Sequence, residues 1–127
     1  MEQTPLLDII HLKKTFPVSA GLFSKTPLLL KAVDDVSFSL NKGLTCGLVG
    51  ESGCGKTTLA RLILNLEVPD SGQVIFNGQN IYALKAGALK NFRKQVQVIF
   101  QDPYSSLNPR KKVGSIIAEP LRIHHLL

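Results

Sequence analysis

The chain has 127 residues, 44% of them hydrophobic and 19% charged, with a formal net charge of +6 and two cysteines. That size supports one small domain around one core, and the balance of apolar to charged residues excludes a disordered chain. No apolar run approaches the length of a membrane span and the first residues lack the basic-then-apolar layout of a signal peptide, so a cytosolic chain is the expectation.

Residues 6–16 carry apolar side chains at Leu6, Ile10 and Leu12 and close on Lys13-Lys14, which predicts a first strand with edge character. Phe16 at its end suits either a strand terminus or a surface on which a base stacks. Residues 19–27 turn to Gly, Ser, Lys, Thr and Pro, a loop signature. A second strand is predicted over residues 29–40. Its later half alternates Val36, Phe38 and Leu40 with Ser37 and Ser39, as a half-buried antiparallel strand does. After the turn Asn41-Lys42-Gly43, residues 44–49 read as a short strand buried on both faces of a parallel sheet. Cys46 within it and Cys54 beyond it show no paired or metal-ligand spacing, and both read as small buried residues in a reducing compartment.

The next nine residues, Gly50-Glu51-Ser52-Gly53-Cys54-Gly55-Lys56-Thr57-Thr58, fit the phosphate-binding pattern G-x-x-x-x-G-K-[ST] at every fixed position. Chance produces that pattern in about one chain in several hundred of this length, so a glycine-rich connector that binds nothing is the weaker reading. Gly50, Gly53 and Gly55 allow backbone conformations closed to residues with a Cβ and a close approach to a phosphate. Leu59, Leu62, Ile63 and Leu66 follow at helical spacing, placing the loop at a helix N-terminus, where unpaired N–H groups and the helix dipole favour an anion. In such loops Lys56 reaches the β- and γ-phosphates, the Thr57 hydroxyl ligates Mg²⁺, and Thr58 offers its N–H to the α-phosphate.

The helix is predicted to end near Asn65, ahead of Pro69. Residues 73–76, the turn Asn77-Gly78 and residues 79–82 form a hairpin signal. Residues 86–94 predict a short surface helix with Leu89 and either Phe92 or Arg93 inward, and residues 95–100 a further buried strand. Asp102 before Pro103 reads as a turn former. Residues 103–109 are loop, and residues 113–123 have a helical apolar pattern that Pro120 kinks or splits. The basic residues are scattered apart from Arg110-Lys111-Lys112, with no interleaved aromatics, which favours a solvated face over a nucleic-acid groove. His11, His124 and His125 have no catalytic partner in the sequence.

The phosphate loop, the Asn77-Gly78 hairpin and the run Val96-Gln97-Val98-Ile99-Phe100-Gln101-Asp102-Pro103 together resemble the N-terminal half of an ABC-type ATPase subunit. The run from Gln101 through Tyr104, Ser105, Ser106, Leu107, Asn108, Pro109 and Arg110, with Glu119-Pro120-Leu121 after it, is similar to the ATPase subunits of oligopeptide and dipeptide importers. The insert at residues 17–31 resembles the same group, and the likeness covers essentially the whole chain. It implies an α/β fold, a P-loop NTPase of ABC type, incomplete. That fold has a partial parallel sheet around the loop, an antiparallel β layer and the start of a helical subdomain. Residues 1–100 would form the N-terminal part of the ATP-binding core, and residues 101–127 the Q-loop and the start of the helical subdomain.

The resemblance further implies ATP and Mg²⁺ as cofactors, bound by Gly50, Glu51, Ser52, Gly53, Cys54, Gly55, Lys56, Thr57 and Thr58. Gln101 would approach Mg²⁺ and the attacking water, and Phe16 would stack on adenine, where the family more often has Tyr. The implied partners are membrane-spanning permease subunits and a second ATPase subunit, identical or different, with no nucleic acid, at the inner face of the cytoplasmic membrane. The family's signature sequence, second acidic motif and switch histidine match nothing here, so the expectation is no catalytic residue in this chain and negligible ATP turnover by it alone. Two other readings remain: a stand-alone nucleotide-binding module that never hydrolyses, and another P-loop enzyme, a kinase or GTPase, with Asp102 as metal ligand.

Overall fold

Strands β1 (Leu7–Val18), β2 (Leu28–Leu40), β3 (Ser71–Phe76) and β4 (Gln79–Asn80) form one antiparallel sheet in the order β2-β1-β3-β4. They belong to a computed structural model that describes residues 4–18, 28–104 and 106–126. The predicted loop over residues 19–27, and with it most of the insert, lies outside the described residues. Helix α1 (Lys56–Ile63) and a 3₁₀ turn (Ile81–Ala83) complete a first compact unit, Met1–Lys85. Helices α2 (Ala86–Gln95) and α3 (Val113–Ile123) lie in a second, Ala86–Leu127.

β1 is interior to the sheet, between β2 and β3, and not the edge strand its two lysines suggested. Each lysine has found an acidic partner instead: Lys13 Nζ lies 3.6 Å from Asp35 Oδ1 and Lys14 Nζ 3.0 Å from Glu67 Oε1. β1 is also bulged. On the β3 side Ile10 faces Gln73 and Lys13 faces Ser71, so His11 and Leu12 together oppose Gly72. His11 (φ 47), Asp35 (φ 58) and Gly72 (φ 91) all take left-handed conformations at this level of the sheet. The His11 N–H donates to Ser37 Oγ at 2.8 Å, which replaces a ladder hydrogen bond at the irregularity, and the His11 Nδ1 sits 3.1 Å from Asp35 Oδ1. Gly72 passes so close to the His11 carbonyl that a Cβ there would meet backbone. The bulge explains why Ile9 and Leu12, three apart, are the buried residues of β1, where plain alternation predicts a spacing of two.

The core of the first unit is Ile9, Leu12, Val33, Leu59, Leu62, Val74 and Ile81, each at most 5% exposed. Burying such a side chain contributes roughly 1.5–3 kcal/mol. An isolated helix of eight residues is unstable in water, so Leu59 and Leu62 are what hold α1 in place. Its end is fixed by polar contacts as well: Tyr82 Oη donates to Leu62 O at 2.9 Å and Asn65 Nδ2 to Ile81 O at 3.3 Å. Burial pushes the Tyr82 hydroxyl up to about 12, so it stays a donor at any ordinary pH. Asn65 turns left-handed (φ 53) where the helix was expected to stop, and Asn77 (φ 48) with Gly78 (φ 76) make the expected tight hairpin turn.

The segment after α1 is tied back to β1. Thr15 donates to Asp70 Oδ2 from both its N–H and its hydroxyl at 2.6 Å, and the Asp70 N–H donates to Lys13 O at 2.9 Å. The Thr15 hydroxyl first, its N–H second and the Lys14 ammonium third hold the Asp70 carboxyl below its ordinary range. A depressed carboxylate contributes stability that is complete above its unfolded value, about pH 4, and lost as pH falls through the folded one. Asp70→Asn is therefore expected to flatten the stability profile below about pH 4. Urea titrations at several pH values check this, and an acid limb identical to that of the unsubstituted chain would count against it.

Two segments differ from expectation. Residues 44–50 and 96–100 join no ladder among the described residues, and their side chains are open, with Val49 and Ile99 both 90% exposed. A strand is stable through bonds to neighbours on both sides and layers on both faces. Among the described residues neither segment has such a neighbour. For the same reason Cys46 is exposed, not buried, and Cys54 is exposed on the loop that follows.

In the second unit Phe92, not Arg93, is the buried residue of α2. Asp102 Oδ1 accepts from the Tyr104 N–H at 3.2 Å, the turn its position before Pro103 suggested. α3 runs through Pro120 without being split, and Lys111 Nζ lies 2.7 Å from Glu119 Oε2 across its first turns. No helix of the described residues is long and apolar enough to cross a membrane.

Candidate functional site

The candidate site is the turn between the open segment at residues 44–50 and α1. Gly55 is the N-cap of α1 in the left-handed conformation, φ 95 and ψ 0, with no side-chain cap. A Cβ at Gly55 would run into the Ala32 carbonyl of β2, so the absence of a side chain is what lets the loop lie against the sheet. At Gly50 a Cβ would stand 2.6 Å from Cys54 Sγ, so the loop is also tight across its own turn. The Cys54 N–H donates to Glu51 O at 3.4 Å and closes a turn at the crest.

Lys56 arches back over this loop. Its Nζ donates to Gly50 O at 2.7 Å and to Glu51 O at 2.6 Å, with Cys54 Sγ at 3.4 Å. The ammonium thus sits at the loop's mouth. The first bond into α1 runs from the Leu59 N–H to Gly55 O at 2.9 Å, so the N–H groups of Lys56, Thr57 and Thr58 come before the helical pattern begins. One fixed positive charge, a helix N-terminus and N–H groups unused by the helix make an anion receptor.

Thr57 lies exposed in the first turn of α1. Its hydroxyl is a hard oxygen of the kind Mg²⁺ accepts. Among the described residues no three His, Cys, Asp or Glu side chains gather to hold a metal alone. That donor set fits an ion that keeps several waters and is held through phosphates, as Mg²⁺ is, and does not fit an all-protein cage.

Phe16 is half-buried on β1, paired with Leu30 of β2. Leu30 is two residues from Ala32, whose carbonyl abuts Gly55, so the sheet connects the aromatic to the loop along one strand. Beside the loop opens a cavity of about 380 Å³ lined by Val33, Val36, Phe38, Leu48, Gly55 and Leu59. The structure brings Gly50 to Thr58 together on one turn and sets Phe16 on the adjoining sheet. Gln101 belongs to the second unit, exposed in a bend just before the Asp102 turn. Sequence reasoning passed over Lys14, whose ammonium stands 5.2 Å from the centroid of the Phe16 ring. Its spacing of two from Phe16 on a strand was the available signal.

The family model described as ABC transporter matches residues 33–125. The chain is 51% identical over 123 residues to the dipeptide transport ATP-binding protein DppF of Haemophilus influenzae, covering 97% of this chain and 37% of that protein. It is 50% identical over 125 residues to the oligopeptide transport ATP-binding protein AppF of Bacillus subtilis, covering 98% of this chain and 38% of that one. The chain therefore spans a little over a third of the length of these relatives. Among solved structures, an ATP-binding cassette captured as a dimer in a post-hydrolysis state with ADP and phosphate superposes with a TM-score of 0.72 at 21% identity. That match covers 93% of this chain and 47% of that one, and it establishes a shared fold.

Proposed function

The chain belongs to the ABC transporter family, and from that premise we propose that it is the ATP-binding portion of an importer subunit that energises peptide uptake. The observation that carries this is the Lys56 ammonium closing the glycine loop, 2.7 Å from Gly50 O and 2.6 Å from Glu51 O, at the N-terminus of α1. An ammonium there faces the β- and γ-phosphates of ATP, and the unused N–H groups of the first turn complete the cradle. Gly50, Glu51, Ser52, Gly53, Cys54 and Gly55 supply main chain to that cradle, Thr58 its N–H, and Phe16 the surface for the adenine ring. Thr57 contributes an oxygen toward Mg²⁺, which neutralises phosphate charge when bound with ATP. The peptide cargo follows from the relatives named for dipeptide and oligopeptide transport. With it come permease subunits and a second ATPase subunit as partners, at the cytoplasmic face of the membrane.

Calorimetric titration with ATP tests the site. Affinity is expected to rise with Mg²⁺, and Thr57→Val is expected to remove about tenfold of that gain while matching the unsubstituted chain in EDTA. ATP binding by the unsubstituted chain that takes no notice of Mg²⁺ would argue against the assignment.

A further inference from the structure

A base stacked on Phe16 needs that ring held at a fixed height and tilt, and β1 contains a device for it. Lys14 and Phe16 are two apart on the strand and leave it on the same face. Lys14 Nζ lies 5.2 Å from the ring centroid, within reach of cation–π attraction. Its side chain is only 13% exposed, and its other contacts come from the segment that follows α1. Nζ donates to Val68 O at 2.7 Å and pairs with Glu67 Oε1 at 3.0 Å and Asp70 Oδ1 at 3.7 Å. The first two oxygens are within hydrogen-bond distance, and the third adds a charge contact. Lys14 is therefore committed where it stands and is not a spare cation for phosphate.

We infer that Lys14 is a positioning residue for the base of the nucleotide. It covers one face of the Phe16 ring, leaves the other as the stacking surface, and ties that surface to the chain leaving α1, the helix that starts in the phosphate loop. The inference rests on the proposed nucleotide role of the site and adds the group that sets its base end. A cation on one face draws π density toward itself, so an electron-rich purine stacks better on the opposite face. Glu67 and Asp70 keep the ammonium over the ring when a polyanion occupies the loop.

The test compares ATP with inorganic tripolyphosphate, which has no base, on the full chain and four variants by calorimetry. Lys14→Met is expected to weaken ATP binding about three- to tenfold and to leave tripolyphosphate binding within about twofold. Lys14→Arg restores ATP affinity, because a guanidinium also binds an aromatic face. In a Phe16→Ala background the Lys14→Met change has no further effect on ATP. Unchanged ATP affinity in Lys14→Met, an equal loss for tripolyphosphate, or a loss of the same size without Phe16 each overturns the inference. If Phe16→Ala itself leaves ATP affinity untouched, the base end of the proposed nucleotide site fails, and the role of Lys14 falls with it. Tripolyphosphate affinity retained in each variant shows that the loop is still folded.

Discussion

Replacing Lys56 with alanine is expected to lower the affinity of the chain for ATP about a hundredfold or more. The Lys56 ammonium bridges the loop, reaching Gly50 O at 2.7 Å and Glu51 O at 2.6 Å. Those carbonyls belong to exposed residues, so water can replace the lost donor, and the loop itself suffers little. A phosphate has no such substitute, because each charge-assisted bond to it contributes about 1.5–3 kcal/mol. Lys56→Arg is expected to recover only part of the loss, since a flat, wide guanidinium does not fit the space over two adjacent carbonyls as a compact ammonium does. Calorimetry with ATP measures the change and far-ultraviolet circular dichroism checks the fold. An alanine variant within threefold of the unsubstituted chain would remove the basis for assigning the loop to phosphate.

Gly55→Ala is expected to destabilise the first unit by about 3 kcal/mol or more, and to abolish nucleotide binding with it. Two effects add. At φ 95 an L-residue incurs a left-handed penalty of about 1–2 kcal/mol. The new Cβ would also overlap the Ala32 carbonyl, which cannot retreat, because β2 is paired on either side of it, Val33 with Lys14 and Lys31 with Thr15. Gly47→Ala is the control: a Cβ there has nothing within 4 Å, and the change is expected to stay within about 1 kcal/mol. Urea unfolding measures both. Equal stability of the two variants would show that the contact between loop and sheet is not tight in solution.

The parts of the molecule that could be read from the sequence are those specified locally. The loop from Gly50 to Thr58 follows a fixed spacing, α1 has its apolar residues at helical intervals, and Asn77-Gly78 can hardly be anything but a tight turn. β2, α2 and α3 were likewise visible in their periods. What could not be read depends on neighbours. Residues 44–50 and 96–100 have the composition of buried strands, but burial belongs to the surroundings, and their side chains stand open. The lysines of β1 suggested an edge because a sequence does not show that Asp35 and Glu67 will come to meet them. Spacing alone sets Lys14 beside Phe16, but its anchoring was hidden for the same reason, since Val68 and Asp70, which hold it, lie more than fifty positions away. The bulge was hidden more deeply, because His11 and Asp35 are residue types that take positive φ in only a minority of cases.

That bulge has a counting consequence. Side chains on a strand point up and down by parity, and the extra position at His11 resets the parity of everything after it, so that the even-numbered Leu12, Lys14 and Phe16 fall on the side that odd-numbered Ile9 occupies. Removing one residue there would turn Phe16 to the far side of the sheet, away from the Lys14 ammonium, without altering either side chain. A gap or insertion at that spot is therefore a change of face for the aromatic, and not a harmless variation in length.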